Sequence, residues 1–313
     1  MKLVLAPLAG FTDAPFRLMC SEGGADLSYT EMVSAAGLAH GSSPTRHLME
    51  TLPGEGPVAC QIFGSKESDI AFAAKVVPPV FAELNLNAGC PMTKVTREGA
   101  GAKLVDDPEK VYRLIRAMTE NTPMPVTLKT RLGPHPARTR VFELIDAAAS
   151  AGAKGVILHA RYTSQMHGGE VHLETLAEAV SRSKLPVTGN GSVVDLKTLG
   201  AMKNTGVAAV MIGRAALSDP GIFAKLKNAG AEPSALTKID WCRRHLEAIL
   251  AFRAALAVKY PHDHVPGEDA FASVKMHTHL FRYFSGRPGA AALRARLNTV
   301  RTLAEISDIL ASE

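Results

Sequence analysis

Short apolar segments alternate with longer amphipathic ones through residue 228, and this alternation limits the fold more than any other feature of the chain. Each apolar segment has the length of a buried strand and is followed by a polar or glycine-rich turn and a helical pattern. Eight strands over so short a length favour a closed (β/α)8 TIM barrel over an open doubly wound sheet. The predicted strands are Leu3–Leu8, Leu27–Val33, Val58–Phe63, Phe81–Leu86, Val126–Arg131, Gly155–His159, Pro186–Thr188 and Ala209–Ile212.

The rest of the chain shows helical patterns and no strand pattern. Gly230 to Thr237 is predicted to be a linker. Three helices are then predicted, at Trp241–Tyr260, Gly267–Phe284 and Ala290–Ala311. We therefore predict a catalytic barrel domain over residues 1–232, followed by a smaller, all-helical domain over residues 233–313.

Composition narrows the class of protein. No apolar run approaches the roughly 20 residues that cross a bilayer, and the four cysteines show no C-x-x-C spacing. We expect a cytoplasmic monomer with no membrane association, no disulfide framework and no metal site. Four histidines near the C-terminus lack the spacing of metal ligands: His262, His264, His277 and His279.

Polar side chains end four consecutive predicted strands, where a barrel of this class carries its active site. Residues two apart on a strand share a face, so paired residues here point the same way. Cations inside a barrel mouth are costly to desolvate unless a polar or anionic ligand meets them. The residues concerned are Gln61 on strand three, Asn85 and Asn87 on strand four, Lys129 and Arg131 on strand five, and His159 and Arg161 on strand six.

Glycine turns follow the last two predicted strands. Asn190-Gly191-Ser192 comes after strand seven and Gly213-Arg214 after strand eight. Such turns let backbone N–H groups approach a phosphate, and an arginine there adds a charged guanidinium that can donate two parallel hydrogen bonds. Turns in these two positions predict the phosphate site of a barrel, with the ring of a phosphorylated cofactor near Pro7, Gln61 and Lys129.

Cys90 lies between Gly89 and Pro91 in a turn, whereas Cys20, Cys60 and Cys242 lie in apolar surroundings and are predicted to be core residues. Thiols near cations tend to be reactive. Its position alone leaves a nucleophile, a redox switch and a metal ligand open.

No Asp or Glu occurs from Ala270 to Ala304, in a chain whose net charge is only +5. A solvated helix face usually mixes signs of charge, so this stretch favours an anionic partner. It contains Lys275, Arg282, Arg287, Arg294, Arg296 and Arg301.

The chain contains a series of short motifs: Leu5 to Asp13 with Pro15-Phe16-Arg17, Gln61 to Gly64, Asn87 to Pro91 running on to Ala102, Lys129 to Gly133, His159 to Arg161, Asn190-Gly191 and Met211 to Ala215. In combination, these motifs resemble those of the tRNA-dihydrouridine synthases, FMN-dependent enzymes that reduce uridine in tRNA. The resemblance spans nearly the whole chain. Three differences from the family pattern stand out: Asn85 for Asp, Ala160 for Gly, and His277-Thr278-His279 for Arg-Lys-His.

The resemblance implies a role for each candidate site residue. Cys90 would donate a proton, Lys129 and His159 would hold the flavin, and NADPH or NADH would reduce it. The flavin ring would contact Pro7, Leu8, Ala9 and Gln61, and its phosphate would contact Asn190, Gly191, Ser192, Gly213 and Arg214. The uracil would contact Asn87 and Arg131, and further substrate contacts are predicted for Arg161, Arg282, Arg294 and Arg296.

The chemistry agrees with these roles. Reduced flavin can pass a hydride to C6 of uracil, and C5 then needs a proton. A free thiol, with a pKa of roughly 8.5, is mostly protonated at neutral pH and can still give the proton up. Two alternatives share parts of this pattern, namely a dihydroorotate-dehydrogenase-like flavoprotein acting on a free pyrimidine and a non-catalytic RNA-binding barrel.

Overall fold

The computed structural model describes residues 1–229, 236–285 and 289–312, without the side chain of Arg294. Its eight strands form one parallel sheet in the order β1-β8-β7-β6-β5-β4-β3-β2. The sheet closes on itself where the Leu5 N–H donates to the Leu27 carbonyl over 2.9 Å, which confirms the predicted barrel. The strands are β1 (Lys2–Leu5), β2 (Ser28–Ser34), β3 (Val58–Phe63), β4 (Glu83–Ala88), β5 (Val126–Arg131), β6 (Gly155–His159), β7 (Val187–Asn190) and β8 (Ala209–Ile212).

Helices cover the outside of the barrel and make up the described C-terminal region. Two short 3₁₀ helices, at Gly101–Asp106 and Thr163–Gln165, lie in loops after β4 and β6. The barrel helices are α1 (Ala14–Glu22), α2 (Ala35–Ala39), α3 (Ser43–His47), α4 (Glu67–Val76), α5 (Thr93–Thr96), α6 (Pro108–Thr119), α7 (Val141–Ser150), α8 (Leu173–Arg182), α9 (Leu196–Lys203), α10 (Arg214–Ser218) and α11 (Ile222–Lys227). The C-terminal helices are α12 (Lys238–Lys259), α13 (Glu268–Tyr283), α14 (Ala290–Leu297) and α15 (Leu303–Ser312).

Three strand predictions differ from the structure at the end that matters for the site. Strand β7 runs to Asn190 instead of ending at Thr188, so Asn190 belongs to the strand and not to the turn after it. Strand β1 stops at Leu5, so Pro7, which has no N–H to pair, lies in the following loop. Strand β4 lies two residues later than predicted, so Asn85 and Asn87 are within it rather than at its end. Its ladder starts at Glu83, the first residue that pairs with β3.

The last predicted helix is wrong as a single element, because it is broken into α14 and α15. The Thr302 N–H donates to the Glu305 carboxylate over 3.0 Å, and the Thr302 hydroxyl accepts from the Glu305 N–H over 3.3 Å. This reciprocal capping box starts a new helix, and its Thr-x-x-Glu signature is visible in the sequence.

Buried apolar side chains form two main cores. One fills the barrel and the layer under its helices, and the other packs α12 to α15 against α1 through Ala14 and Met19. Helix α1 therefore belongs to both parts of the molecule. Residues 230–235 of the predicted linker lie outside the described residues. The predicted domain boundary lies within this segment.

Register in the sheet brings the predicted site residues to one level. Asn87 pairs with Lys129, Arg131 with His159, and His159 with Asn190. Four neighbouring strands thus deliver their polar side chains to the same end of the barrel. None of the described helices is long and apolar enough to cross a membrane.

Candidate active site

A cavity of about 430 Å³ opens at the carboxyl ends of the barrel strands. This volume lies within the usual range for small-molecule and cofactor sites. Among the described residues that line it there is no Asp or Glu. Its cationic side chains are Lys129, Arg131, Arg161, Arg214 and Arg282.

Lys129 is half-buried in this group of cations, intermediate in exposure between the buried Arg131 and Arg161 and the exposed Arg214 and Arg282. Its ammonium donates to the Asn190 amide oxygen over 3.2 Å, and the Asn190 amide nitrogen in turn donates to the Met211 carbonyl over 2.9 Å. Burial, reinforced by the neighbouring Arg131, lowers the pKa of Lys129 to about 7. The site therefore holds an ammonium that has no carboxylate partner in the part of the chain that the structure describes.

His159 is a neutral imidazole in this setting. Burial together with Lys129, Arg131 and Arg161 holds its pKa far below the ordinary value. The Arg161 guanidinium donates to His159 Nε2 over 3.3 Å. Since Arg161 can only donate, Nε2 accepts and the ring proton is assigned to Nδ1.

Arg161 also ties two loops together. Its guanidinium donates to the carbonyls of Gly168 and Gly169 over 2.9 Å each and to the Ser192 hydroxyl over 2.7 Å. The loop after β6 is thereby fixed against the loop after β7.

The turns after β7 and β8 expose backbone donors to the cavity. In the described part of the chain, no hydrogen-bond partner receives the N–H groups of Gly191, Ser192 and Gly213. Gly191 has a φ of +145°, and a Cβ there would come within 3.2 Å of Val171, so the turn favours glycine. Exposed Arg214 directly follows Gly213. These free donors and the guanidinium suit a phosphate group.

Cys90 lines the cavity in a turn that Asn87 holds. The Asn87 amide oxygen accepts from the N–H groups of Gly89 and Cys90 over 3.1 and 3.0 Å. Its amide nitrogen donates to Gln61 over 2.8 Å, and the Arg131 guanidinium donates to the Gly89 carbonyl over 2.7 Å. The thiol is half-buried and is therefore presented from a rigid backbone.

The structure brings together most of the predicted site residues. Pro7, Leu8 and Ala9 form one wall of the cavity, beside the cations and the two turns. Gln61 instead lies fully buried beneath the cavity, in a chain of amides with Asn87 and Asn85. Arg296 is outside the cavity lining and donates to the Ser312 hydroxyl over 3.1 Å.

Sequence reasoning missed several residues that line the cavity, among them Phe11, Met32, Met92, His167 and Leu217. His167 comes from the loop after β6, and its ring centroid lies 6.4 Å from that of His159. Nothing in strand patterning points to a loop residue of this kind. Phe11 lies within the Leu5 to Asp13 motif, and its aromatic ring could have marked it as a residue of the site.

Several cations of the acid-free stretch are already engaged. Lys275 forms an ion pair with Asp13 over 2.8 Å, and Arg301 donates to the carbonyls of Asn298 and Val300. Arg282 lies with its guanidinium carbon 5.7 Å from the centre of the Phe11 ring. Arg287 and the side chain of Arg294 lie outside the described residues.

Comparison with known proteins gives one family. The family model described as Dihydrouridine synthase (Dus) matches residues 4–312. The chain is 33% identical over 229 residues to tRNA-dihydrouridine synthase B of Klebsiella pneumoniae, covering 72% of this chain and 71% of that protein. It is 34% identical over 259 residues to a probable tRNA-dihydrouridine synthase of Rhodobacter capsulatus, covering 80% of each.

Solved structures share the fold at low sequence identity. Histamine dehydrogenase from Rhizobium sp. 4-9 superposes with a TM-score of 0.57 at 12% identity, over 79% of this chain but only 49% of that one. Morphinone reductase superposes with a TM-score of 0.51 at 14% identity, over 75% of this chain and 88% of that one. These likenesses support the barrel architecture.

Lys129→Met should stabilise the ligand-free protein. Because folding lowers the lysine pKa from 10.5 to about 7, the unfolded chain binds more protons between these values. The cost of burying the ammonium is complete below pH 7 and disappears as the pH rises toward 10.5. Urea unfolding at pH 7 should show a gain of up to roughly 4 kcal/mol, at about 1.36 kcal/mol for each pKa unit, and this gain shrinks as the pH is raised. A loss of stability, or a gain independent of pH, would contradict the assigned pKa shift.

Proposed function

The chain belongs to the dihydrouridine synthase family, and we propose that it reduces specific uridines of tRNA to 5,6-dihydrouridine, with FMN as cofactor and NADPH or NADH as reductant. The observation that carries this proposal is a cavity lined by cations, without an acidic side chain among its described lining residues and with Cys90 on its wall. The family match also includes the C-terminal helices, which favours tRNA over a free pyrimidine.

The residues present fit FMN. Free N–H groups of Gly191, Ser192 and Gly213, together with Arg214, suit its phosphate, and Leu8 offers an apolar contact for its ring. Lys129 and neutral His159 line the same cavity. When bound in its reduced form, the flavin supplies a hydride.

Cys90 supplies the proton in this proposal. Reduction adds two hydrogens across the C5=C6 bond of uracil, so C5 must receive a proton once C6 has received the hydride. The Cys90 S–H lines the cavity in a turn fixed by Asn87, and the charged side chains that line the cavity with it are all cations among the described residues. Lys129 and Arg131 offer positive charge for the electron density that gathers on the uracil carbonyl oxygens.

The target uridine has to leave its stack in the RNA to reach this cavity. We propose that Arg282 assists by binding a backbone phosphate at the cavity wall, since its side chain is exposed and lines the cavity. Arg294 and Arg296 stay candidate phosphate contacts farther along the helical region.

Arg214→Ala should weaken FMN binding by roughly 10- to 100-fold, the range for losing a charge-assisted hydrogen bond. Riboflavin lacks the phosphate, so its affinity should be unchanged and serves as the control ligand. Fluorescence titration of flavin-free protein measures both constants. An equal loss of affinity for FMN and for riboflavin would show that Arg214 does not bind the phosphate.

Cys90→Ala should keep FMN bound but lower dihydrouridine formation by roughly 10²- to 10⁴-fold, as expected for loss of a general acid. The measurement is single-turnover reduction of tRNA by pre-reduced protein. Flavin reduction by NADPH, which needs no thiol proton, is the internal control. Undiminished dihydrouridine formation would rule out Cys90 as the proton donor.

Arg282→Ala should weaken tRNA binding about tenfold at low salt without changing FMN content. Arg116→Ala is the matched control, because Arg116 is exposed on α6 near the start of β5, at the opposite end of the barrel. Fluorescence anisotropy with labelled tRNA reports both affinities. Equal effects of the two variants would show that the RNA does not approach the cavity beside α13.

A further inference from the structure

Asp13 and Lys275 join the loop after β1 to helix α13. The Lys275 ammonium lies 2.8 Å from one carboxylate oxygen of Asp13, which is 8% exposed. The other carboxylate oxygen accepts from the Phe16 N–H and caps α1. One short side chain therefore orients a barrel helix and binds the C-terminal helical region.

This cluster also contains His245 and His279. Each of the three residues Asp13, His245 and His279 offers a ligand atom within 4.8 Å of the others, and His245 Nε2 and His279 Nδ1 have no hydrogen-bond partner among the described residues. Such a trio suggests a divalent cation. The ammonium of Lys275 already neutralises the carboxylate, however, and a metal ion would face it at short range.

The cation of the cluster is therefore Lys275. Both imidazoles stay neutral at ordinary pH because burial lowers their pKa, in His279 to about 4. The attraction between the loop and α13 then rests on Asp13 and Lys275, with the carboxylate of Glu31 adding to the field at the ammonium.

Three side chains on one face of α13 run along the loop. Lys275, His279 and Arg282 are spaced i, i+4 and i+7, which places them in line on a helix. The His279 ring lies 5.6 Å from the Phe11 ring, and the Arg282 guanidinium carbon lies 5.7 Å from the same ring. Phe11 and Arg282 both line the cavity.

Hydrogen bonds hold the loop after β1 in a fixed position, so the position of α13 along the loop is also its position relative to the cavity. The Leu8 N–H donates to the Thr12 hydroxyl over 3.0 Å, and the Gly10 N–H donates to the Glu31 carboxylate. Pro7, Leu8 and Ala9 in the same loop form the cavity wall. A helix anchored at Asp13 is thus anchored relative to the cavity.

We infer that Lys275, paired with Asp13, is a positioning residue that sets α13 along the β1–α1 loop and so holds Arg282 over Phe11 at the cavity wall. This inference rests on the proposed function, in which Arg282 binds the RNA backbone at that wall. Lys275 itself touches no substrate and acts through Arg282.

The test is a double-mutant cycle between positions 275 and 282, with tRNA affinity measured by anisotropy and kcat and KM measured for dihydrouridine formation. Lys275→Met should raise both the Kd and the KM for tRNA about tenfold, with kcat and FMN affinity nearly unchanged. Lys275→Arg, which keeps the charge, should restore most of the loss. In the Arg282→Ala background, Lys275→Met should have no more than a twofold further effect, because the two residues act in series.

Arg244→Met is the matched control, since Arg244 pairs with Glu22 over 3.0 Å and also links the helical region to α1, but away from the cavity. It should change tRNA affinity less than twofold. If Lys275→Met fails to fold, Asp13→Asn/Lys275→Met replaces it, because Asn keeps the helix cap and removes the carboxylate that would otherwise lose its ion-pair partner.

Additive effects of Lys275→Met and Arg282→Ala, or an Arg244→Met effect as large as that of Lys275→Met, would overturn the inference. Failure of the proposed function has a different signature. In that case the unmodified protein forms no dihydrouridine, whereas failure of the inference leaves its activity intact and changes only the pattern among the variants.

Discussion

Positive charge gathered in a barrel mouth without a neighbouring carboxylate is the constraint on which the rest of this structure depends. Lys129, Arg131 and Arg161 are held there by strands and loops, and the cost of their desolvation is not offset by any acid among the described lining residues. An anionic ligand removes that cost. Glycine turns beside Arg214, whose N–H groups have no partner among the described residues, form the phosphate site that we propose.

The same cations also build the walls that surround them. Arg131 and Arg161 donate to backbone carbonyls, so each guanidinium fixes a loop while its charge still faces the cavity. Asn87 fixes the Cys90 turn in a comparable way, because its amide oxygen accepts hydrogen bonds from two backbone N–H groups. A site made of such contacts is organised before any ligand arrives, which is what differential stabilisation of a transition state requires.

Sequence patterning predicted the barrel because period and turn chemistry are local properties. It also brought Lys129, His159 and Arg214 to one site, because parallel strands present their carboxyl ends at one edge. It placed β4 too early, since the apolar residue Phe81 is buried without joining the ladder. The pairing of Lys275 with Asp13 and the entry of His167 into the cavity depend on packing between distant segments, which no linear pattern of charge or hydropathy reveals.

The most direct measurement of the central claim uses purified protein loaded with FMN, NADPH and an unmodified tRNA transcript. Nuclease digestion and mass spectrometry then locate any uridine that has gained two hydrogen atoms. The account predicts this gain at one or a few defined uridines, dependent on both FMN and NADPH. Flavin that is reduced by NADPH and tRNA that is bound, with no uridine changed, would contradict it.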